Sequence, residues 1–343
     1  MTTQPERATV DQLDSFEPHR ISHLPVLVLH AHSSCNCRCV MCVIWKAAEV
    51  RSLRLSDLEP HLASMRRLGV RWVVFTGGEP LLNPALPTLC SALRNQGIRL
   101  TLLTTGILLK KQAKEVAASF DDIIISLDGP ESIHNSIRRV ENAFSLILSG
   151  VAAIKECKPG IRITARTTVQ KANCLYLRET VLAAKTLGLD SISFLAADVE
   201  SEAFNRSLVW PVARQNQVAL SVSDLSILEI EISALIRVHA EDIRSGFIAE
   251  SPDKLRRILS HFRAHLSLEP AEAPQCNAPW TSAVIETDGT VRPCFFHPPI
   301  GNIHQSSLEE VINGEQALQF RAALDIPRNA ICRRCVCSLN YRS

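Results

Sequence analysis

Between residues 24 and 196, short apolar runs alternate with amphipathic stretches. LPVLVLHAHS (24–33), WVVFTGG (72–78), IRLTLLTTG (98–106), DDIIISLDG (121–129), RITARTTV (162–169) and SISFL (191–195) read as six strands. Helices are predicted between them. Leu58, Leu62 and Met65 form a helical stripe behind the capping-box spacing of Ser56 and Glu59. Residues 84–97 stop at Gly97, a helix runs around 140–157, and another at about 175–187 ends at Gly188. This alternation calls for parallel strands joined by right-handed crossovers. Six units fall short of a closed eight-fold barrel, which leaves a partial barrel or an open doubly wound sheet.

In the fifth strand Arg162, Thr164, Arg166 and Thr168 alternate with Ile163, Ala165, Thr167 and Val169. One face is therefore more polar, suited to lining a lumen or to partial exposure, and a lumenal Arg166 would hold an anionic group. After residue 196 the rhythm breaks. Residues 197–222 look irregular, then Leu225, Leu228, Ile232, Leu235, His239 and Ile243 mark one face of a long helix, and 253–266 suggests another. EPAEAPQC (269–276) reads as a linker. VIETDGTV (284–291) is apolar at both ends of Asp288-Gly289, a two-residue hairpin signal.

Composition narrows the class. The 343 residues are 46% hydrophobic and 21% charged, as expected of a globular chain with a sizeable core. A net charge of +2 gives no reason to expect nucleic acid or an anionic membrane as partner. No apolar run approaches the roughly 20 residues of a membrane span. The opening MTTQPERATVDQLDSFEPHR has neither a signal peptide's apolar core nor a transit peptide's basic character, so the expected compartment is the cytoplasm. There the 12 cysteines are not expected to be a disulfide framework, and clustered ones suggest metal or redox chemistry.

The first cluster, SCNCRCVMC, sets Cys35, Cys39 and Cys42 in a Cys-x3-Cys-x2-Cys pattern directly after the first strand. Thiolates are the usual iron–sulfur ligands and a cubane takes four, so three leave one iron open, the mark of a reactive site. A zinc site, or cysteines packed as small hydrophobes, are the alternatives; flanking Asn36 and Arg38 speak against packing. Cys37, inside the motif, competes as a ligand. TGGEP (76–80) ends the second strand: Gly77 and Gly78 allow close backbone approach, and Pro80 cannot continue a central strand. An ordinary tight turn would look the same. A second group follows as Cys276-x12-Gly289-x4-Cys294 and Cys332-x2-Cys335. Four thiolates suit a fully ligated cluster or tetrahedral zinc. Cys90, Cys157 and Cys174 are dispersed and read as packing residues, Cys337 is left over, and His30, His32 and His297 show no metal pattern.

The cysteine spacing continued by CVMCVIWK, with GGEP one βα unit later, resembles the radical SAM superfamily. The resemblance implies a 4Fe-4S cluster on Cys35, Cys39 and Cys42 whose open iron binds S-adenosylmethionine (SAM). It further implies reductive cleavage to a 5'-deoxyadenosyl radical that abstracts hydrogen from a substrate. Met41 stands where the family often has an aromatic residue and would pack on adenine; Gly77, Gly78, Glu79 and Pro80 match the segment that contacts the SAM ammonium. SLDG (126–129) resembles the segment of members with auxiliary clusters, implying SAM contacts from Ser126 and from Arg138, twelve positions on. Thr105 stands where many relatives have Asn, so no contact is carried over there. The second cysteine group, with GNIHQSSLEEVI (301–312), resembles the SPASM/twitch unit. That implies a second, auxiliary 4Fe-4S cluster on Cys276, Cys294, Cys332 and Cys335, in the shorter twitch form.

The expected fold is therefore α/β, a partial (β/α)6 TIM-like barrel with a small C-terminal α+β twitch/SPASM-like domain. Its parts would be a flexible segment 1–23, a barrel core 24–200, a helical insert and linker 201–275, and an auxiliary domain 276–343. The expected activity is that of a radical SAM oxidoreductase or maturase, a net oxidation or cross-link aided by the auxiliary cluster. Its substrate would be a peptide or small molecule and its reductant a flavodoxin or ferredoxin, with no nucleic-acid or membrane partner. Only some 23 residues precede the first strand, which argues against a built-in leader-binding module. Asp198, just after the sixth strand, is a candidate base. A non-catalytic iron–sulfur or zinc scaffold, or an electron carrier, is the alternative class, disfavoured by GGEP.

Overall fold

The computed structural model describes residues 19–203, 206, 208–337 and 339–342; most of the expected flexible segment (1–18) lies outside them. Strands β1 (Val26–His32), β2 (Trp72–Gly77), β3 (Arg99–Thr104), β4 (Asp122–Ser126), β5 (Arg162–Val169) and β6 (Ser191–Ala196) are parallel and stand in the order β6-β5-β4-β3-β2-β1. Helices α1 (Leu62–Arg67), α2 (Leu86–Arg94), α3 (Ala113–Ser119), α4 (Glu131–Arg138), α5 (Ala143–Cys157) and α6 (Leu177–Thr186) fall between them. The result is the open, partial (β/α)6 barrel. It does not stop at β1: β7 (Ser282–Ile285) pairs parallel beside it, and β8 (Thr290–Arg292) and β9 (Gly301–Asn302) follow antiparallel. The C-terminal cysteine unit thus extends the barrel sheet.

The period-two pattern explains both faces of the sheet. Leu29, Phe75, Leu102, Ile125 and Ala165 are fully or almost fully buried. They lie on the helix side, where Phe75 meets Phe120 edge-on at 5.8 Å and Ile125 lies beside Ile147 of α5 across Gly106. Each such burial of a Leu, Ile or Phe side chain contributes about 1.5–3 kcal/mol. The opposite face is mixed, with polar groups among half-buried Val28, Val74, Leu103 and Ile124. Trp72 Nε1 donates to Thr101 Oγ1, which donates to Asp122 Oδ1, and Ser126, Arg166 and Ser193 stand side by side in register. The polar face of β5 is thus turned away from the helices.

Several local expectations change. The helix after β1 is capped by Asp57 Oδ2 on the Arg54 N–H (2.7 Å), not by Ser56 with Glu59, and it breaks into short pieces around Pro60. Helix α4 was not foreseen; it starts after Pro130 and ends where Arg139 turns left-handed. The long helix ends earlier, as α7 (Val222–Val238), followed by α8 (Pro252–His265). Between them residues 247–250 close the β6 edge: Ile192 N–H donates to Phe247 O, Ala249 N–H to Ile192 O, and Phe194 N–H to Glu250 Oε2. The hairpin loop holds three residues, not two, since Glu286 N–H donates to Thr290 O and Gly289 takes φ 81°. Residues 19–23 are pinned, not free. Ile21 exchanges two hydrogen bonds with Asn313 of α9 (Leu308–Asn313), and Arg321 of α10 (Glu315–Ala323) donates to His19 O. No helix among the described residues is long and apolar enough to cross a membrane.

Candidate active site

The C-terminal ends of the parallel strands carry the first cysteine group, at the edge where α/β sheets place ligands. The loop leaving β1 is bonded to its neighbours by backbone. Gly78 N–H donates to His32 O (2.7 Å), Glu79 N–H to Ser34 O (2.9 Å), and Arg38 and Val40 N–H to the carbonyls of Arg138 and Ile137. Asn83 anchors the strand below, its Nδ2 donating to Ala31 O and Leu53 O. Gly77 needs its φ of 116°, and a Cβ on Gly78 would stand 2.0 Å from Ser34 O. Gly77 is therefore fixed by its backbone angle beside His30 and His32 of β1, and Gly78 by how closely the cysteine loop lies on the turn.

Each of the three motif sulfurs accepts a hydrogen bond. Cys37 N–H donates to Cys35 Sγ at 3.5 Å, Ile44 N–H to Cys42 Sγ at 3.4 Å, and Arg138 Nη1 to Cys39 Sγ at 3.5 Å. Such donors stabilise thiolates. The Cys37 thiol and the Arg138 guanidinium bring Cys39 down to about 6. Burial and the neighbouring Cys39 push Cys42 up to about 12. Cys37 is pushed far up by its bonds to Cys35 and Cys39 and by burial, so it stays the protonated member. Among the described residues no three His, Cys, Asp or Glu side chains converge on a point fit for one metal ion. A four-iron cluster gives each thiolate its own iron, so its ligands need not converge that way.

Around the sulfurs the polar groups fit a polar occupant. Glu79 is wholly buried and accepts from Thr104 Oγ1, Thr105 N and Oγ1, and Leu81 N, all uncharged donors; burial raises its pKa above the usual carboxylate range. Thr105 Oγ1 also lies 3.1 Å from Asn36 Oδ1, while Asn36 Nδ2 and Arg138 Nε are buried without a hydrogen-bond partner. Arg138 pairs with buried Asp128 at 2.6 Å. It therefore lies on the cysteine loop itself. Met41 is half-buried against the core, Pro80 is buried at the start of the turn Pro80–Leu82, and Ser126 ends β4 opposite Arg166. Asp198 is not a free base: its carboxylate accepts from Arg206 Nη1, Ser201 Oγ and Glu200 N, which fixes the loop after β6.

The C-terminal group also assembles. Asn277 is stitched to the tail by bonds with Leu339 and Tyr341, which brings the last cysteines across Cys276. Leftover Cys337 lies close enough to Cys276, Cys294 and Cys335 to add to the rise that burial gives each of them. Cys276 Sγ accepts the Ala278 N–H, and Cys294, pushed up to about 12 by burial, accepts those of Phe296 and His297. Cys332 is pushed up to about 11 by burial and by Cys276. Its sulfur lies 3.3 Å from His297 Nε2. From the sequence His297 shows no metal pattern of its own, although its Cys-x2-His spacing from Cys294 is a signal of this neighbourhood. A cavity of about 1010 Å³ lies between the loop after β6 and this unit, lined by Asp198, Glu200, Val209, Arg292, Phe295 and Cys335 among others. Phe295 stacks on His30 of β1, 5.7 Å between ring centres.

Residues 32–172 match the family model of the radical SAM superfamily, and residues 276–336 match that of the SPASM iron-sulfur cluster-binding domain. Fe-coproporphyrin III synthase of Methanosarcina barkeri is 30% identical over 43% of this chain and 38% of its own length. The antilisterial bacteriocin subtilosin biosynthesis protein AlbA of Bacillus subtilis is 22% identical over 81% of this chain and 57% of its own. The chain thus spans between about two fifths and three fifths of these relatives. In fold it is similar to Streptococcus suis SuiB bound to S-adenosylmethionine (TM-score 0.65, 17% identity, 96% of this chain and 76% of that one). It is likewise similar to anSMEcpe with bound AdoMet (TM-score 0.62, 20% identity, 86% of this chain and 79% of that one).

Proposed function

The chain is a member of the radical SAM superfamily with a C-terminal SPASM domain, and from that we propose that it modifies a peptide by hydrogen abstraction, with net oxidation or cross-linking. When bound, a 4Fe-4S cluster and SAM supply reductive S–C bond cleavage and the 5'-deoxyadenosyl radical. Cys35, Cys39 and Cys42 would hold that cluster, their sulfurs already met by N–H donors. Gly77 and Gly78 let the cysteine loop lie on the β2 turn, and Glu79 offers a buried carboxylate for an ammonium. Asn36 and Arg138 keep a donor each in reserve at the same place. Ser126 and Met41 would border SAM. Cys276, Cys294, Cys332 and Cys335 would hold the auxiliary cluster.

One observation carries the peptide reading. The likeness to the bacteriocin biosynthesis protein runs through 290 residues, whereas that to the porphyrin enzyme covers 156. The test is to incubate the reconstituted enzyme, SAM and a reductant with the short peptides encoded beside its gene. Mass spectrometry should find a peptide that has lost two hydrogens. Turnover of a porphyrin or nucleotide, with every peptide unchanged, would overturn the peptide reading.

A further inference from the structure

The imidazole of His297 takes no part in the first cysteine site, yet it is placed with care at the second. It is 3% exposed, its ring packs edge-on against Phe320 at 4.9 Å, and its own carbonyl accepts from Arg292. Its Nε2 lies 3.3 Å from Cys332 Sγ. Cys332 is held from the other side: it sits in the helical turn Ala330–Arg333, where Asn329 Oδ1 accepts the Ile331 and Cys332 N–H groups. Both partners of the contact are therefore fixed by the fold.

We propose that His297 donates its Nε2–H to Cys332 Sγ and thereby sets the reduction potential of the auxiliary cluster; this rests on the reading of Cys276, Cys294, Cys332 and Cys335 as its ligands. A sulfur ligand carries more negative charge when its cluster is reduced, so a donor aimed at it stabilises the reduced form more than the oxidised. The ring's burial strengthens the bond by excluding competing water. A cluster so tuned is an easier electron acceptor. His297 is in this sense a positioning residue for the auxiliary cluster and touches no substrate.

The experiment uses the full chain with Cys35, Cys39 and Cys42 changed to Ala, so that the C-terminal site alone holds iron. Its one-electron midpoint is read by an EPR-monitored redox titration, beside iron and sulfide content. His297→Phe keeps the ring against Phe320 but removes the donor. The expected result is an intact cluster whose reduction equilibrium constant falls about tenfold, ~59 mV to lower potential. His297→Gln, which retains an N–H, should recover part of that shift. An intact cluster with an unmoved midpoint would overturn the proposal. Loss of iron from His297→Phe alone would overturn it too, making His297 a ligand. A parent protein that binds no iron at all would instead sink the ligand assignment beneath it.

Discussion

Replacing Gly78 by Ala tests how the GGEP turn and the cysteine loop depend on each other. The added Cβ would lie 2.0 Å from Ser34 O and 2.5 Å from Ser34 C, whereas ordinary contact begins at 3.4 Å. Both are backbone atoms, so no rotamer relieves the clash and the loop must retreat by more than an ångström. That retreat breaks the Glu79 N–H to Ser34 O bond and strains Gly78 N–H to His32 O. Overpacking of this kind costs about 1–3 kcal/mol and the lost backbone bond about 1 kcal/mol, so the sum is about 2–4 kcal/mol. Cys35 follows Ser34 directly and moves with it. Gly160→Ala is the control, since no atom stands within 4 Å of its Cβ position. The assay is iron and sulfide per chain after reconstitution, with thermal unfolding alongside. Gly78→Ala should melt several degrees lower and keep only the iron of the C-terminal site. Full iron content with a melting point equal to that of Gly160→Ala would refute the steric argument.

Further outcomes follow from the same contacts. Asp128→Asn strips the 2.6 Å carboxylate partner from buried Arg138, which should cost about 3–5 kcal/mol in urea unfolding; an unmoved midpoint would count against a buried pair. Asn83→Ala leaves the Ala31 and Leu53 carbonyls without their side-chain donor and should cost about 2–4 kcal/mol, measured the same way, with a loss under 0.5 kcal/mol (about what a surface change costs) as the contrary result. Burial raises Glu250 to about 7 from 4.5. The folded state then binds the extra proton, so stability present below pH ~4.5 is lost as pH rises through 7, about 3 kcal/mol in all. Glu250→Gln accepts the Phe194 N–H without titrating, so wild-type stability relative to the variant should fall by that amount from pH 4 to 8; parallel curves would contradict it.

Much of this was legible because local pattern and tertiary role coincide. The six strands were marked by apolar runs whose buried members face the helices, and the two glycines of GGEP by a motif whose spacing has a steric cause. What escaped reading depends on distant partners. Helix α4, ESIHNSIR, offers only Ile133 and Ile137 as an apolar pair over eight residues, and its place is also set by Arg138 reaching Asp128 and Cys39. Asp198 looked like a base until Arg206 and Ser201 claimed its oxygens. Nothing in ISHLP announces that Ile21 is tied to Asn313, nearly three hundred residues away. β7 beside β1 is equally non-local, since a parallel neighbour leaves no hairpin signal.

The most direct measurement of the central claim is anaerobic cleavage of SAM. Reconstituted protein, dithionite and SAM are mixed and 5'-deoxyadenosine is sought by chromatography, with the Cys35→Ala, Cys39→Ala, Cys42→Ala triple variant in parallel. The account expects the product from the wild type and none from the triple variant. No product from a wild type carrying its full iron would contradict it and leave a non-catalytic iron–sulfur scaffold as the better description.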